Sequence, residues 1–298
     1  MYSIIVYLYQ MTPLALIFNL PIFFIILRKK YLTFPGGITA AAVLGLSLFI
    51  IQPFFWIVLC IFFFSSSILS KVKTNEKSDT VMEFAKGSSQ RDALQVVANS
   101  LVPFLFAIGY GVTEFLPKLI DSNVTQHNPL NPFFIGVFVA FAVHTADTWA
   151  TEIGILSKRS PRLITNLHKI VARGTSGGIT IDGCAASIFG AGLVAIVYLA
   201  IVILAFPNVI INGRVIMIIC IIAIGGFLGS IIDSIEGASI QGIYYCNYCE
   251  KETETNPHKR CGNETLLSRG FALINNDLVN MSSALVMTIC IYLITFTL

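Results

Sequence analysis

The sequence contains little charge. Asp, Glu, Lys and Arg make up only 12% of its 298 residues, whereas about a quarter of a typical soluble domain is charged. Apolar residues account for 55%. This composition argues against a water-soluble fold. The net charge of +3 is also too small for a polyanion-binding surface spread over the molecule, so we expect no nucleic-acid partner.

The cysteine pattern argues against a disulfide framework. The seven cysteines are an odd number. Four of them lie in or at the ends of apolar stretches, where a cysteine behaves as a small hydrophobic residue: Cys60, Cys184, Cys220 and Cys290. The other three share one hydrophilic loop.

Long apolar windows dominate the chain. A hydrocarbon core about 30 Å thick requires about 20 apolar helical residues to cross it. We therefore predict an all-α, polytopic transmembrane helical bundle of about eight spans, forming a single integral membrane domain over residues 1–298. The expected spans cover about residues 3–27, 36–51, 54–70, 93–116, 133–157, 184–206, 215–235 and 281–298.

The basic residues set the expected span count and orientation. Only Gln52 and Pro53 separate spans two and three, so a single kinked helix is the alternative. With eight spans, all of the 19 Lys and Arg residues except Lys118 and Arg214 fall on one face, whereas merging the two spans divides them more evenly. Because basic residues collect in cytoplasmic loops, we expect both termini outside.

Acidic residues occur inside the spans, although each charge there costs about 2.5–3.5 kcal/mol. Span five contains His144, Asp147 and Thr151 on one helix face, together with Glu152. Span seven reaches Asp233 at the end of a stripe of glycines. The alternatives are that the acids only pair with basic loop residues and that the glycines only pack helices.

Two further polar clusters lie at the same end of the bundle. Asn276, Asp277 and Asn280 begin the last span, where the alternative is a helix cap. Arg91 and Asn99 enter span four at helical spacing. In the eight-span topology all the clusters converge on the cytoplasmic side. Their oxygen atoms are the ligands that Mg²⁺ prefers, so we expect a magnesium site there.

A basic, glycine-rich loop joins spans five and six. Glycines let backbone N–H groups turn toward an anion, and the following helix N-terminus adds about half a positive charge. This pattern predicts a phosphate-binding loop, although the Walker order is missing and a basic connecting loop is the alternative. The residues concerned are Arg162, Thr165, Lys169, Arg173, Gly174, Thr175, Ser176, Gly177 and Gly178.

The hydrophilic loop 236–270 carries a second motif. Its spacing is C-x2-C-x8-H-x2-C, formed by Cys246, Cys249, His258 and Cys261. Four soft ligands in one short loop predict a structural zinc site with Cys3His ligation. The alternative is three unpaired loop cysteines.

Taken in order, five stretches resemble the integral membrane family that includes plant phytyl-phosphate kinase and animal transmembrane protein 19, which is related to the CTP-dependent polyprenol kinases. The resemblance covers about residues 28–298. The stretches are Arg91–Asn99, Ala146–Gly154, Pro161–Thr165 with Gly174–Gly178, Gly229–Gln241 and Asn275–Asn280.

The resemblance implies a kinase that converts an isoprenoid monophosphate lipid to its diphosphate with a nucleoside triphosphate, CTP being the expected donor. The residue chemistry agrees, because a lipid phosphate is already a nucleophile and needs positioning, metal and cations rather than a general base. The implied catalytic groups are Asp147, Asp233, Asp277 and Arg173. Glu152 joins the three aspartates as a magnesium ligand, and Asn99, Asn276 and Asn280 orient the nucleotide.

Two rival functions fit the same residues. A CTP-dependent lipid cytidylyltransferase would use the same metal and nucleotide but attack the α-phosphate. A membrane transporter or flippase would use the acidic residues as relay groups, but it would not need a glycine-rich phosphate loop.

Overall fold

The structure is a computed structural model that describes residues 2–72, 90–120 and 128–297, and the side chains of these except 2–5 and 115–120. The helices are α1 (Tyr2–Lys29), α2 (Gly36–Ile51), α3 (Pro53–Lys71), α4 (Ala93–Ala98), α5 (Leu101–Ile120), α6 (Pro132–Leu156), α7 (Ile181–Ala205), α8 (Gly213–Ser239) and α9 (Asn276–Phe296). The strands are β1 (Arg162–Leu163), β2 (Asn166–Ile170), β3 (Gly178–Ile179), β4 (Ile243–Cys246), β5 (Lys251–Thr253) and β6 (Leu266–Arg269). The basic loop residues Lys73, Lys77 and Lys86 lie outside the described residues.

The helices confirm a polytopic helical membrane protein. In the described part of the chain, six helices are long and apolar enough to cross a bilayer: α1, α3, α6, α7, α8 and α9. Two apolar segments, Gly36–Ile51 and Leu101–Glu114, are shorter. The count of eight spans and the orientation of the termini stay predictions.

Helix α6 is the centre of the bundle. Pro132 occupies its first turn, and the Asn131 side chain caps the helix by accepting a hydrogen bond from the Phe133 N–H. Every residue from 134 to 146 is buried, and α3, α5, α7, α8 and α9 pack against the helix. A helix that is apolar on all sides has to be enclosed by other helices. The 134–146 part of α6 is enclosed in this way.

The chain breaks between α2 and α3, as the eight-span prediction requires. Gln52 is extended, with φ −161° and ψ 117°, and Pro53 begins the next helix. Ala41 and Phe63 lie on opposite sides of this break but line one small cavity. Because a continuous helix would hold them about 33 Å apart, α2 and α3 must fold back on each other.

The prediction of one continuous span over 93–116 is wrong, because the chain forms two helices there. Asp92 caps α4 by accepting from the Gln95 N–H, and the Gln95 side chain accepts from the Asp92 N–H in return. The helix then ends after one and a half turns at Asn99. The polar residues that enter this span therefore build a short separate helix rather than one face of a long one.

Both loops at the opposite end from Gln52 are folded into small antiparallel sheets, which the sequence analysis did not predict. The 157–180 connection forms a sheet of order β2-β1-β3. The 240–275 connection forms a second sheet of order β5-β4-β6. Strands this short carry weak periodicity, so composition alone suggested loops.

Small residues let α8 approach its neighbours closely. A Cβ added at Gly226 would lie 2.7 Å from the Cβ atoms of both Ala142 and Ala191. A Cβ added at Gly229 would lie 2.3 Å from Val143 Cγ2. The glycine stripe therefore sets the spacing of α6 and α8.

We expect Gly229→Ala to destabilise the protein, because the new methyl group has no space beside Val143. Overpacking of this kind costs about 1–3 kcal/mol. The control is Gly192→Ala in α7, where an added Cβ meets nothing within 4 Å and where alanine favours the helix by up to about 1 kcal/mol. The melting temperature in detergent should fall for the first variant and stay equal or rise for the second. Equal melting temperatures for both variants would contradict the packing described.

Candidate active site

A polar cavity of about 130 Å³ lies where one end of α6 meets the start of α7 and the end of α8. The start of α9 also reaches it through Asn276. Three acidic residues, several hydroxyl side chains and the glycine-rich turn line it: Asp147, Asp233, Glu254, Thr151, Thr180, Ser187, Ser230, Ser234 and Gly174–Gly178. The structure thus brings together groups from four helices and two loops that are far apart in sequence.

The acidic centre of the cavity is the pair Asp147 and Asp233. The two carboxyl groups are within hydrogen-bonding reach of each other. Ser283 of α9 donates to Asp233 Oδ2 at 3.0 Å. Glu236, one turn further along α8, accepts from Ser282 and adds to the negative charge near Asp233. Carboxylates held this close repel each other unless a proton or a cation lies between them.

The glycine-rich turn is held by backbone hydrogen bonds at both ends. Ile164 N–H donates to Gly177 O and Gly178 N–H donates to Thr175 O, both at 2.9 Å. Gly174 and Gly177 have φ of 84° and 78°, which only glycine adopts at low cost. A Cβ at Gly177 would lie 2.4 Å from Ala238 Cβ, so the turn packs directly on the end of α8.

The N-terminus of α7 completes this wall of the cavity. Thr180 caps the helix by accepting from the Gly183 N–H at 3.0 Å. Thr180, Gly183 and Cys184 line the cavity beside the turn. Free N–H groups at a helix start, next to a glycine-rich turn, are a common anion-binding arrangement in proteins. The glycine-rich half of the predicted phosphate-binding loop therefore lines the cavity beside the start of α7.

Arg269 ties the turn to α8, and the sequence analysis did not single it out. Its guanidinium donates to Gly237 O at 3.0 Å, to Ala238 O at 2.6 Å and to Ser176 O at 2.9 Å. Burial lowers the pKa of Arg269, while the carboxylates of Glu252 and Glu254 oppose that shift. One arginine in a basic loop carries no pattern that would have revealed this role.

The predicted basic residues of the loop lie outside the cavity lining. Arg162 is exposed and donates to Leu167 O at 2.6 Å. Lys169 lines a separate space between β2 and the second sheet. Thr165 and Arg173 are also exposed. Arg162 and Lys169 belong to strands β1 and β2, which the sequence analysis did not predict.

Among the remaining predicted residues, Asn276 lines the cavity and Asp277, beside it in the first turn of α9, is buried. Asn280 lies between Asn276 and Ser283 on one face of α9. Its Oδ1 is buried and has no hydrogen-bond partner among the described residues. The predicted zinc ligands lie together on the second sheet, with ligand atoms within 4.8 Å of one another.

Glu152 and Asn99 lie elsewhere. Glu152 accepts from Ser70 Oγ of α3 at 2.5 Å and interacts electrostatically with Arg91. Asn99 lines a second, largely apolar cavity of about 50 Å³ between α1, α2, α3 and α4. Its apolar lining includes Ile22, Phe23, Ile26, Leu44, Trp56, Leu59, Phe62, Phe63 and Phe64, and its polar lining includes Asn19, Arg91 and Gln95.

Arg91 lines the apolar cavity and interacts with residues of α6. Its guanidinium carbon lies 5.4 Å from the centre of the Phe62 ring and 5.8 Å from that of Phe63, which is a cation–π distance. It also interacts electrostatically with His144 and Glu152, which flank Asp147 on α6. Arg91 therefore places the polar end of the apolar cavity beside α6, the helix that carries Asp147.

Comparison with known proteins agrees with these motifs. The family model described as integral membrane protein DUF92 matches residues 17–288. The chain belongs to this family. The family resemblance carried by the five motifs is therefore confirmed.

Two similar proteins illustrate the range of the family. Protein PGR of Arabidopsis thaliana is 32% identical over 226 residues, which is 75% of this chain and 77% of that protein. An uncharacterized membrane protein of Methanocaldococcus jannaschii is 30% identical over 203 residues, 68% of this chain and 72% of that protein. No solved structure matches significantly.

We expect Arg269→Met to destabilise the protein by at least about 2 kcal/mol, because three carbonyl groups lose a charged donor. Arg162→Met is the matched control, since Arg162 is exposed and donates to a single carbonyl. Thermal unfolding in detergent checks both, and proteolysis near residue 176 should rise only in the first variant. A change of similar size in both variants would contradict a specific role for Arg269.

Proposed function

We propose that this protein is a Mg²⁺-dependent kinase that transfers the γ-phosphate of a nucleoside triphosphate, CTP by preference, to an isoprenoid monophosphate lipid. The observation that carries the proposal is the meeting of the Asp147 and Asp233 carboxyl groups with a glycine-rich turn and a helix N-terminus in one cavity. Acids and backbone N–H groups side by side suit a metal-bound polyphosphate.

In this proposal the donor phosphates bind at the 174–178 turn. Backbone N–H groups of the turn and of the α7 start supply hydrogen bonds to phosphate oxygens. The hydroxyl groups of Thr151 and Thr180 line the same wall and can donate as well. The close packing of Gly177 on Ala238 keeps the turn rigid, which suits positioning of the reacting group.

The residues present fit a magnesium ion. Asp147 and Asp233 offer two carboxylates, and the buried Oδ1 of Asn280 lies on the face of α9 that also carries Ser283. Mg²⁺ uses one or two such carboxylates and completes its shell with waters and substrate phosphates. When bound, it would neutralise the charge that develops on the transferred phosphoryl group.

The acceptor lipid would place its chain in the apolar cavity and its phosphate near Arg91. Aromatic and aliphatic side chains dominate that cavity, and Arg91 is the cation at its polar end. The space is narrow, so α1 has to move outward for a prenyl chain to enter. Only 17% of the apolar stretch of α1 is buried, against 72% for α6. Of the six long apolar helices, α1 is therefore the one least held by packing.

The experiment uses purified protein in detergent with Mg²⁺, CTP labelled at the γ-phosphate, and geranylgeranyl or phytyl monophosphate. Label in a lipid diphosphate is the expected result. Formation of a CDP-lipid with labelled pyrophosphate would contradict the kinase and favour a cytidylyltransferase. The absence of turnover with CTP, ATP, GTP and UTP would contradict an enzyme and favour transport.

We expect Asp147→Asn to lower kcat at least about 100-fold, because one negative ligand of the metal–phosphate centre is lost. Asp182→Asn is the matched control: Asp182 is exposed, accepts from Ser157 at 2.6 Å and does not line the cavity. Turnover is measured at saturating CTP and lipid, with gel filtration to confirm folding. Full activity of the Asp147 variant would remove this residue from the catalytic centre.

We expect Arg91→Met to raise the KM for the lipid phosphate about tenfold, because a charged contact worth about 1.5–3 kcal/mol is lost. The KM for CTP should stay unchanged. Arg159→Met provides the control, since Arg159 is exposed and lines neither cavity. A parallel rise in both KM values would argue that Arg91 supports the fold rather than the acceptor.

A further inference from the structure

The second sheet carries four side chains in the arrangement of a tetrahedral metal site. Cys246 Sγ lies 3.5 Å from Cys261 Sγ, and His258 Nδ1 lies 3.3 Å from Cys261 Sγ. Around a zinc ion the sulfur–sulfur and sulfur–nitrogen separations are about 3.8 Å and about 3.6 Å, from ordinary Zn–S and Zn–N lengths. Cys249 completes the set, and all three cysteines are free thiols.

Two tight turns bring these ligands together. Cys246 ends β4, Cys249 lies in the turn before β5, and Glu250 closes that turn with a φ of 54°. The second turn runs from His258 to Asn263. His258 N–H donates to Asn263 O at 2.9 Å, and Gly262 N–H donates to His258 O at 2.7 Å. Each half of the motif is thus a folded loop that presents two ligands.

The sheet has little apolar core of its own. Its strands are only three or four residues long, and Leu266 and Leu267 of β6 are exposed by 64% and 47%. Small sheets that bury so little are marginal and usually depend on a cross-link. His258 and Cys246 are nevertheless fully buried at the ligand cluster.

The same sheet supports the glycine-rich turn. Arg269 of β6 donates to Ser176 O, and Glu254, one residue beyond β5, lines the polar cavity. Gln241, just before β4, accepts from Ser176 Oγ at 2.6 Å and donates to Glu254 Oε1 at 3.1 Å. The ligand cluster joins the end of β4 to the connection between β5 and β6, so it holds the strands that carry these contacts.

We propose that Cys246, Cys249, His258 and Cys261 bind a structural zinc ion, and that this ion holds sheet β4–β6 against the glycine-rich turn. Four protein ligands fill the tetrahedral coordination shell of zinc and leave no open position for substrate. The ion is therefore structural rather than catalytic. Its effect on the cavity is indirect and passes through Arg269 and Gln241.

Metal content tests the first part without any use of the transferase activity, so its outcome is independent of the proposed function. Protein produced with zinc in the medium and purified without chelator should contain about one zinc per chain. Cys249→Ser should lose most of it, whereas Cys220→Ser, an exposed cysteine of α8, should keep it. Equal zinc in both variants, or none in the unmodified protein, would overturn the site.

A second variant keeps the zinc site testable if Cys249→Ser does not fold. His258→Cys converts the set to four thiolates, which also bind zinc, so this protein should fold and retain the metal. Replacement of zinc by Co²⁺ should give the visible absorption of a tetrahedral thiolate site in the unmodified protein, and an altered spectrum in the His258 variant. An octahedral, thiolate-free Co²⁺ spectrum would contradict the assignment.

Hydrogen exchange tests the second part. Removal of zinc by a chelator should increase exchange of the backbone N–H groups in 174–178 in the unmodified protein, and exchange should be high already in Cys249→Ser. Exchange in α6 should stay slow in both, since its core residues belong to a hydrophobic cluster that includes no residue of the sheet. Unchanged exchange in 174–178 after zinc removal would show that the ion does not support the turn.

Discussion

The close approach of α6 and α8 is the constraint on which the polar cavity depends. Gly226 and Gly229 remove the side chains that would hold the helices apart, so Val143 and Ala142 lie against the α8 backbone. Asp147 follows one turn after Val143, and Asp233 follows one turn after Gly229. The two carboxyl groups therefore meet because the glycines below them allow it. A wider spacing would separate the acids and open the cavity to apolar neighbours.

The second constraint acts at the end of the bundle. The glycine-rich turn has no apolar core and is positioned by Gly177 against Ala238 and by the three carbonyl contacts of Arg269. Both contacts end on the last turn of α8, the helix that carries Asp233. One helix thus sets the position of an acid and of the glycine-rich turn, and this explains why the two lie side by side in the cavity.

Most of the bundle could be predicted from the sequence, because apolar run length determines membrane helices directly. The break at Gln52 was also accessible, since a proline follows it and the basic residues favoured two spans. The break at Asn99 was not, because the Asp92 and Gln95 cap resembles a polar helix face when only spacing is considered.

For the site, the acids and the turn stood out as polar groups in an apolar chain. The sequence could not show that Glu152 contacts Ser70 instead of Asp147, since that depends on how α3 packs. Arg269 was missed because its role depends on a sheet whose strands are too short to have a recognisable pattern. Lys169 lies away from the cavity for the same reason, as β2 is part of that other small sheet.

The two cavities draw on separate parts of the chain. Residues that line the apolar cavity come from 19–100, and those that line the polar cavity come from 147–276. Substitutions in the first four helices can therefore change the size and shape of the apolar space while every group around the carboxylate pair stays as it is. Such a division gives relatives of this protein a route to diverge in the shape of the apolar cavity while the residues around the carboxylate pair are kept.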